Sequence, residues 1–416
     1  MAPALTACGS GGPGGDKRLK VVAADYGDNA ANSSKKYWEA LARDFESKNS
    51  GIKVDVEVLS WTEVDKHVAD LVQAGKAPDI AQIGAYADFA AAGKLYSADQ
   101  MLSIPTQADM ITSIAKAGEV HRIQYGLPFV ASTRLLFYNK TLFAKAGIAR
   151  APQSWDEIQA AAVKLQKAGV KIPYGLPLGP EEAPAETMLW MLSAGGGYTD
   201  KNGAYTIDRD ENIRAFEWLR DELVGKGLTG PGDPARTNRQ EVFDAFCRGE
   251  VGMLNGHPTL MQLAAKSKGV SFEMAPLPGA KGLSKSTMGV ADWIMAFKQN
   301  GHREECGKFL DFVYAKKNVL AFTGQYDLLP VTTSASQAMH EDPAHKNLQQ
   351  FLEQLENAEF YPADKTSWAK VSKALKEQIG ATVKKGGDPA SVLGEIQRDA
   401  NATENAGQAQ AGTPAS

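Results

Sequence analysis

The chain has 416 residues, of which 43% are hydrophobic and 23% are charged. That length allows two hydrophobic cores rather than one. The formal net charge of −4 excludes the basic surface that general nucleic-acid binding requires. No apolar run approaches the roughly 18–20 residues that span a bilayer, so we predict no membrane-spanning helix.

The N-terminal segment has the pattern of a bacterial lipoprotein. Residues 5–8 (Leu-Thr-Ala-Cys) form a lipobox, and the glycine-rich residues 9–15 resemble a flexible tether. We therefore expect lipidation of Cys8 and a tether over residues 1–16. The alternative is a chance cysteine in a disordered end, because the charged and apolar regions of a signal peptide do not precede the motif. A shortened N-terminus would explain that gap.

Two other cysteines, Cys247 and Cys306, lie in predicted amphipathic helices. Neither has a second cysteine nearby, so the sequence contains no cysteine-based metal or redox motif. We predict two buried thiols rather than a disulfide.

Alternating strand and helix patterns predict an α/β fold. Residues 19–23 form a strand pattern, and Trp38, Leu41, Ala42 and Phe45 recur at helical spacing. A strictly alternating strand (52–58), a helix (64–72) and a strand (79–83) follow. This order is typical of an α/β layer with crossover connections.

A second α/β series begins after residues 134–138. Ser154 and Glu157 form a capping box before an apolar helix, and the strands predicted downstream include residues 251–254, 271–274 and 292–297. The last third is rich in helix patterns. Residues 401–416 are rich in Ala, Gly, Gln and Thr, and we expect them to be disordered.

Catalytic and cofactor motifs are mostly missing from the sequence. It contains no phosphate-binding P-loop and no G-x-S-x-G nucleophile elbow. Residues 225–230 match G-x-G-x-x-G, but they follow a helix, whereas a dinucleotide site follows a strand. Glu181 and Glu182 could act as the acid and base of a glycosidase, although adjacent residues point in different directions. We therefore predict a protein that is not an enzyme and has no metal or cofactor.

Four of the seven tryptophans lie where a ligand could reach them. Ligands of α/β folds bind at the carboxyl ends of strands, and a flat indole suits the C–H face of a pyranose. Trp61 and Trp293 (beside Asp292) adjoin strands, Trp190 precedes a glycine run, and Trp368 opens a helix. The alternative for each is core packing.

Five motifs, in order and spacing, resemble the sugar-binding lipoproteins of ABC importers, a family-1 solute-binding group that includes maltose-binding protein. They lie at residues 77–80 (APDI), 125–143 (YGLPF to LFYNKTLF), 151–158 (AP-x-SWDEI), 246–256 (F-x-x-GE-x-GM-x-x-G) and 275–279 (APLPG).

The resemblance implies a fold like that of type II periplasmic binding proteins, in which two α/β lobes are joined by crossing hinge segments. It places the N-terminal lobe at residues 17–130 plus 288–331 and the C-terminal lobe at residues 131–287 plus 332–400. Cys247 and Cys306 would then lie in different lobes.

The resemblance also implies a set of ligand-binding positions in the cleft between the lobes. These are Tyr26, Asp28, Gln82, Gly84, Tyr86, Ser132, Glu181, His257, Trp293 and Trp368. His257-Pro258 and Ser132 depart from the residues of maltose-binding relatives, which points away from maltose itself.

The implied function is oligosaccharide binding and delivery to an ABC transporter permease by hinge closure. The expected protein is a monomer, lipid-anchored to the outer face of the bacterial membrane, with no nucleic-acid partner. Two alternatives besides a glycosidase are an adhesive surface protein and a receptor for an anionic solute. The latter would need a basic cleft, for which Arg134 and Arg236 are the candidates.

Overall fold

The computed structural model describes residues 17–27 and 30–411. Its strands are β1 (Lys17–Ala24), β2 (Ile52–Leu59), β3 (Ile80–Ile83), β4 (Glu119–Val120), β5 (Ile123–Gln124), β6 (Leu127–Ser132), β7 (Leu135–Asn139), β8 (Ile172–Gly175), β9 (Val251–Gly256), β10 (Phe272–Ala275), β11 (Pro278–Gly279), β12 (Gly282–Leu283), β13 (Thr287–Met288), β14 (Val290–Ala296) and β15 (Ala358–Glu359).

The α-helices occupy much of the remaining chain. They are α1 (Lys35–Lys48), α2 (Val64–Gln73), α3 (Ala87–Ala91), α4 (Ala98–Met101), α5 (Ile104–Asp109), α6 (Thr112–Lys116), α7 (Lys140–Lys145), α8 (Trp155–Lys167), α9 (Ala183–Ser193), α10 (Asp210–Trp218), α11 (Arg239–Cys247), α12 (Pro258–Lys266), α13 (Arg303–Val313), α14 (Lys316–Tyr326), α15 (Thr333–Glu341), α16 (Gln349–Glu353), α17 (Trp368–Gln378) and α18 (Pro389–Ala411). None of these helices is both long enough and apolar enough to cross a membrane.

Two sheets organise the described residues. The first has the strand order β2-β1-β3-β14-β6, with β14 antiparallel to both of its neighbours. The second has the order β10-β7-β9-β8, in which only the β8–β9 pair is parallel. The predicted α/β character is therefore confirmed.

The first sheet is covered on both faces because β1 alternates its side chains between two cores. Leu19, Val21 and Ala23 pack with α1, while Val22 and Ala24 join the cluster that contains the buried valines of α2. Side chains of a strand alternate between faces, so one strand can serve two apolar layers. The helical spacing predicted for α1 is also confirmed, since Trp38, Leu41, Ala42 and Phe45 are its buried residues.

The second sheet carries helices whose starts are set by local chemistry. Ser154 caps α8, and its Oγ accepts the Glu157 backbone N–H at 3.3 Å, as the capping motif predicts. Trp155, Ile158 and Leu165 of α8 then enter a core shared with α9, α10, α17 and α18.

The chain passes between the sheets along adjacent segments. Only Thr133 and Arg134 separate β6 from β7, and the Thr287 hydroxyl donates to the Arg134 carbonyl at 2.9 Å. Ala131 and Leu329 exchange backbone hydrogen bonds at 2.9 and 2.8 Å. Strand β13 pairs with β15, which brings Ala358 next to Thr287 and so close to the crossing at Arg134. These segments form the floor of the groove between the sheets.

Helix α15 lies close to these crossings. It packs on α14, and its Ser334 Oγ donates to Asp109 Oδ2 at 2.5 Å. Thr133 Oγ1 donates to the Phe351 carbonyl in α16 at 2.9 Å, so the segment after residue 332 is attached to the crossing itself.

The C-terminal segment differs from its sequence-based expectation. Helix α18 continues to Ala411, whereas we expected disorder from residue 401. The helix is anchored just before that point because Ile396 and Ala400 are fully buried. Glu404 then pairs with Lys365 at 2.8 Å, which holds the next turn. The low-complexity composition of residues 401–416 gives no sequence signal for this anchoring.

Cys306 is buried and Cys247 is half-buried, and both are free thiols. The prediction of a buried thiol is confirmed for Cys306, whereas Cys247 is only half-buried because it lies at the last turn of α11. The proposed lipidation site, Cys8, lies outside the described residues.

The side chain of Asp79 connects β1, β3 and the start of α13 through hydrogen bonds. Its buried carboxylate accepts from the Lys20 backbone N–H at 2.7 Å and from Asn300 Nδ2 at 3.1 Å, and it lies 2.9 Å from His302 Nδ1. Replacing Asp79 by Ala leaves these donors unpaired, so D79A should lower the free energy of unfolding by about 1–3 kcal/mol or more.

Urea denaturation would measure this change. D99A, which removes an exposed carboxylate, should stay within about 0.5 kcal/mol of wild type. Equal stability of D79A and D99A would contradict the role assigned to Asp79.

Candidate ligand-binding cleft

The groove between the sheets contains two adjoining cavities of about 290 and 430 Å³. We call the first the aromatic half, defined by Trp293, Phe360, Tyr361 and Trp368, and the second the charged half, defined by Ser132, Arg134, Glu181, Glu182, Arg239 and His257. Val290 and Tyr361 line both cavities, so the two halves of the cleft adjoin at these two residues.

Much of the aromatic half is formed by residues 360–369, towards the C-terminal end of the chain. Trp368, the first residue of α17, is half-buried, and its ring lies 5.0 Å from that of Tyr361 with the planes inclined by 32°. Tyr198 supports Trp368 from behind at 5.1 Å. Partly open, nearly parallel rings provide an apolar surface that suits a flat ligand face.

Trp293 closes the base of the aromatic half from β14. It is only 2% exposed and packs edge-on to Tyr86, whose hydroxyl donates to the Ala117 carbonyl at 2.6 Å. Tyr86 is fully buried and belongs to the core of the first sheet. The structure therefore places Trp293 at the cavity wall and Tyr86 behind it.

Asp292 provides the polar group of this region. The Tyr26 hydroxyl donates to Asp292 Oδ2 at 2.7 Å and accepts from Gln82 Nε2 at 3.0 Å. Gln82 is buried, and its Oε1 accepts the Ala24 backbone N–H, so it positions Tyr26 rather than facing a ligand. Burial raises the pKa of Asp292 to about 6, and the hydrogen bond from Tyr26 opposes that rise.

The remaining predicted positions on this side are close by. Trp61 is half-buried and meets Tyr26 edge-on at 5.4 Å. Gly84 lines the aromatic half, and its backbone N–H donates to Asp65 Oδ1 at 3.0 Å. Asp28 lies outside the described residues.

The charged half is an alternating network of two arginines and two glutamates. Arg239 Nη2 lies 2.5 Å from Glu181 Oε1, and Arg239 Nε lies 3.0 Å from Glu182 Oε2. Arg134 Nη2 lies 3.1 Å from Glu182 Oε1, and its Nη1 donates to Ser132 Oγ at 3.2 Å. The two positive and two negative charges balance.

His257 completes the charged half at the start of α12. Its Nε2 is 3.1 Å from Arg239 Nη1, and its ring packs against Phe243 at 5.2 Å. Burial lowers the pKa of His257 well below its usual value, and the charges of Arg134 and Arg239 lower it further. His257 is therefore a neutral imidazole at neutral pH.

Three sequence-based interpretations need correction, those for Trp190, Tyr86 and Gln82; buried Gln82 positions Tyr26, as described above. Trp190 does not reach the cleft: it is 3% exposed and packs among Trp155, Tyr174 and Trp218. The glycine run after α9 suggested an exposed turn, but residues 183–192 of the helix are all buried. Tyr86 is likewise buried behind Trp293, as described above.

Several cleft residues were missed from sequence. The pair Phe360-Tyr361 just before Trp368 was a usable signal, because adjacent aromatics in a loop rarely both enter one core. Arg239 and Glu182 gave no signal, since their roles depend on the approach of α11 to the loop before α9. Arg134 was considered only for an anionic ligand.

This chain resembles bacterial binding proteins in sequence. The model of the bacterial extracellular solute-binding protein family matches residues 30–319. The chain belongs to this family. A Brucella abortus protein described as a binding protein is 28% identical over 371 residues, covering 88% of this chain and 89% of that protein.

Solved structures confirm the fold. The cyclic alpha-maltosyl-1,6-maltose binding protein of Arthrobacter globiformis is 18% identical with a TM-score of 0.81, covering 94% of this chain and all of that one. The sugar-binding protein MalE of Xanthomonas citri is 19% identical with a TM-score of 0.78, covering 95% and 99%. The solute-binding protein thus has two α/β lobes of the periplasmic-binding-protein type. Its family and these neighbours are binding proteins, not enzymes.

One more relative binds an anion. The sn-glycerol-3-phosphate-binding periplasmic protein of Salmonella typhimurium is 26% identical over 252 residues, covering 58% of this chain and 56% of that protein.

Glu186 lies behind the charged half and supplies a pH prediction. It is 3% exposed, and its Oε1 accepts from Trp190 Nε1 at 2.8 Å and Asn255 Nδ2 at 2.9 Å. Burial raises its pKa to about 8 from a usual value of 4.5. The native state then binds this proton more tightly than the unfolded chain, so the free energy of unfolding falls as pH rises from about 4.5 to about 8.

E186Q removes this titration. Relative to wild type, E186Q should gain stability between pH 5 and pH 8 by up to a few kcal/mol, as urea denaturation at each pH would show. E217Q, which alters an exposed carboxylate, should follow the wild-type pH profile. Parallel profiles for E186Q and wild type would contradict a raised pKa at Glu186.

Proposed function

We propose that this solute-binding protein binds an oligosaccharide in the cleft and delivers it to the permease of an ABC importer. The observation that carries the proposal is that the aromatic and charged halves adjoin at Val290 and Tyr361. A ligand that fills both must have flat apolar faces and many hydroxyl groups along its length. An oligosaccharide has both properties.

The two halves would contribute different contacts. Tyr361 and Trp368 would stack on the C–H faces of sugar rings, since partly open aromatic surfaces favour such contacts. Asp292, ionised at neutral pH, would accept hydrogen bonds from hydroxyls. Glu181 and His257 would contact hydroxyls in the charged half. The ligand-binding roles of Tyr26, Gly84 and Ser132 belong to the same proposal.

Closure of the lobes would couple binding to transport. Residues of β6 and β14 in the first sheet line the cleft together with His257, which follows β9 of the second sheet. Short crossing segments join the two sides, which suits hinge motion around a ligand. A sugar that contacts both lobes would stabilise the closed form because it binds that form more tightly than the open form. In this proposal the N-terminal lobe comprises residues 17–130 plus 288–331 and the C-terminal lobe residues 131–287 plus 332–400, with α15 at their junction.

The proposal extends to the cell surface. The protein would act as a monomer attached to the outer face of the membrane by a lipid on Cys8. Its structural neighbours include an ABC substrate-binding protein from Listeria monocytogenes in complex with cycloalternan, at a TM-score of 0.73 and 20% identity.

An anionic solute is the second candidate, favoured by Arg134 and Arg239 in the cleft and by the sn-glycerol-3-phosphate-binding relative. Both guanidinium groups are already paired with Glu181 and Glu182. A phosphate would have to displace a carboxylate, and the desolvated charge left behind would oppose binding. Arg236 is exposed and is not among the cleft residues. Lys376, the remaining cation of the lining, is exposed. The pairing of both arginines therefore favours a neutral sugar.

A ligand panel tests the proposal. We expect cyclic alpha-maltosyl-1,6-maltose or cycloalternan to release heat in calorimetry, raise the melting temperature and reduce the radius of gyration in X-ray scattering. We expect sn-glycerol 3-phosphate to do none of these. Binding of the phosphate alone, or heat without any change in radius, would contradict this function.

Trp368 tests the aromatic half. W368A should weaken the binding of the panel sugar by about two- to tenfold or more, because the stacking surface is lost. W368F keeps an aromatic ring and should retain most of the affinity. Equal affinities of W368A and wild type, with equal melting temperatures, would show that the indole does not contact the sugar.

A further inference from the structure

The hydrogen bond between Arg239 and His257 decides which nitrogen of the imidazole carries its proton. Arg239 Nη1 lies 3.1 Å from His257 Nε2. A guanidinium has only donors, so Nε2 of the histidine must accept. A neutral imidazole with Nε2 as acceptor carries its proton on Nδ1. His257 Nδ1 is thus a hydrogen-bond donor.

Arg239 is itself held firmly in place. Its Nη2 and Nε are ion-paired with Glu181 and Glu182, and its guanidinium lies over the Phe243 ring at 5.3 Å. The Phe243 ring also packs against His257. The two ion pairs of Arg239 and its contact with the Phe243 ring restrict its rotation. Phe243 also packs against His257, so the imidazole is restricted too.

The donor on His257 is available to a ligand. Nδ1 has no hydrogen-bond partner among residues 17–27 and 30–411 and is not sealed from solvent. His257 lines the charged half of the cleft. We propose that Arg239 is a positioning residue that fixes His257 as a neutral Nδ1–H donor aimed at an oxygen acceptor of the bound sugar. This inference rests on the proposed function for its ligand, but the tautomer itself does not.

The charges around His257 come from several elements. They are Arg134 between β6 and β7, Glu181 and Glu182 before α9, Glu186 in α9, Arg239 in α11 and Lys376 in α17. Burial and the two arginines hold the pKa of His257 well below its usual value. Removing Arg239 deletes one positive charge and leaves Glu181 without its arginine partner, and both changes raise the pKa of His257.

Long-range ¹H–¹⁵N NMR of the full chain tests the tautomer directly. The His257 signal is identified by its loss in H257Q. In wild-type protein without sugar we expect the proton on Nδ1 and an unprotonated Nε2 from pH 8 down to pH 5.5. In R239Q we expect a mixture of tautomers at pH 8 and protonation of the ring before pH 5.5.

Two further variants separate positioning from general disruption. R239K supplies an ammonium group, which is also a donor only, and should keep the Nδ1–H form. R236Q removes an exposed arginine of the same segment and should leave the His257 spectrum unchanged. A wild-type ring protonated on Nε2, or the same His257 titration in R239Q and wild type, would overturn the proposal.

Sugar binding provides the second readout. R239Q should bind cyclic alpha-maltosyl-1,6-maltose about two- to tenfold more weakly than wild type at pH 8. That deficit should shrink towards pH 6, because protonation restores a proton on Nδ1. A deficit that does not depend on pH would overturn the donor role. If wild-type protein binds no sugar of the panel, the proposed function fails, whereas the NMR spectra still decide the tautomer.

Discussion

The arrangement of the cleft depends on how briefly the chain crosses between the two sheets. Only Thr133 and Arg134 separate β6 from β7. Thr287 of one neighbouring crossing is hydrogen-bonded to Arg134, and Leu329 of another is hydrogen-bonded to Ala131 in β6. Two sheets joined over so short a distance must place the ends of their strands at a common groove. Arg134 is therefore fixed at the floor of the cleft, and Val290, on the neighbouring crossing, links its two halves.

The charged half illustrates how a buried polar network can remain neutral. Two arginines and two glutamates alternate, from buried Arg134 to exposed Glu181, so each charge has an opposite neighbour. Burying one partner without the other would be strongly unfavourable. This pairing supplies polar donors and acceptors whose charges offset one another, and exposed Lys376 adds one cation to the same lining. Such a surface suits a neutral, hydroxyl-rich solute. His257 fits the same logic, because the neighbouring guanidinium groups keep its ring uncharged.

Sequence patterns predicted the fold well because the relevant signals are local. The capping by Ser154 and the apolar spacing of α1 depend on residues within a turn or two. The site was harder to predict because its members meet only through tertiary packing. Trp190 and Trp368 both stood near turns, yet one is enclosed by other aromatic rings and the other lies at the cleft. Arg239 carried no local signal at all.

The most direct measurement of the central claim is a crystal structure of the protein grown with cyclic alpha-maltosyl-1,6-maltose. The account predicts closed lobes, a glucose ring stacked on Tyr361 or Trp368, and hydroxyl contacts that reach Glu181 or His257 across the Val290 junction. A sugar bound outside the groove, or a closed cleft whose two halves are separated by side chains, would contradict it.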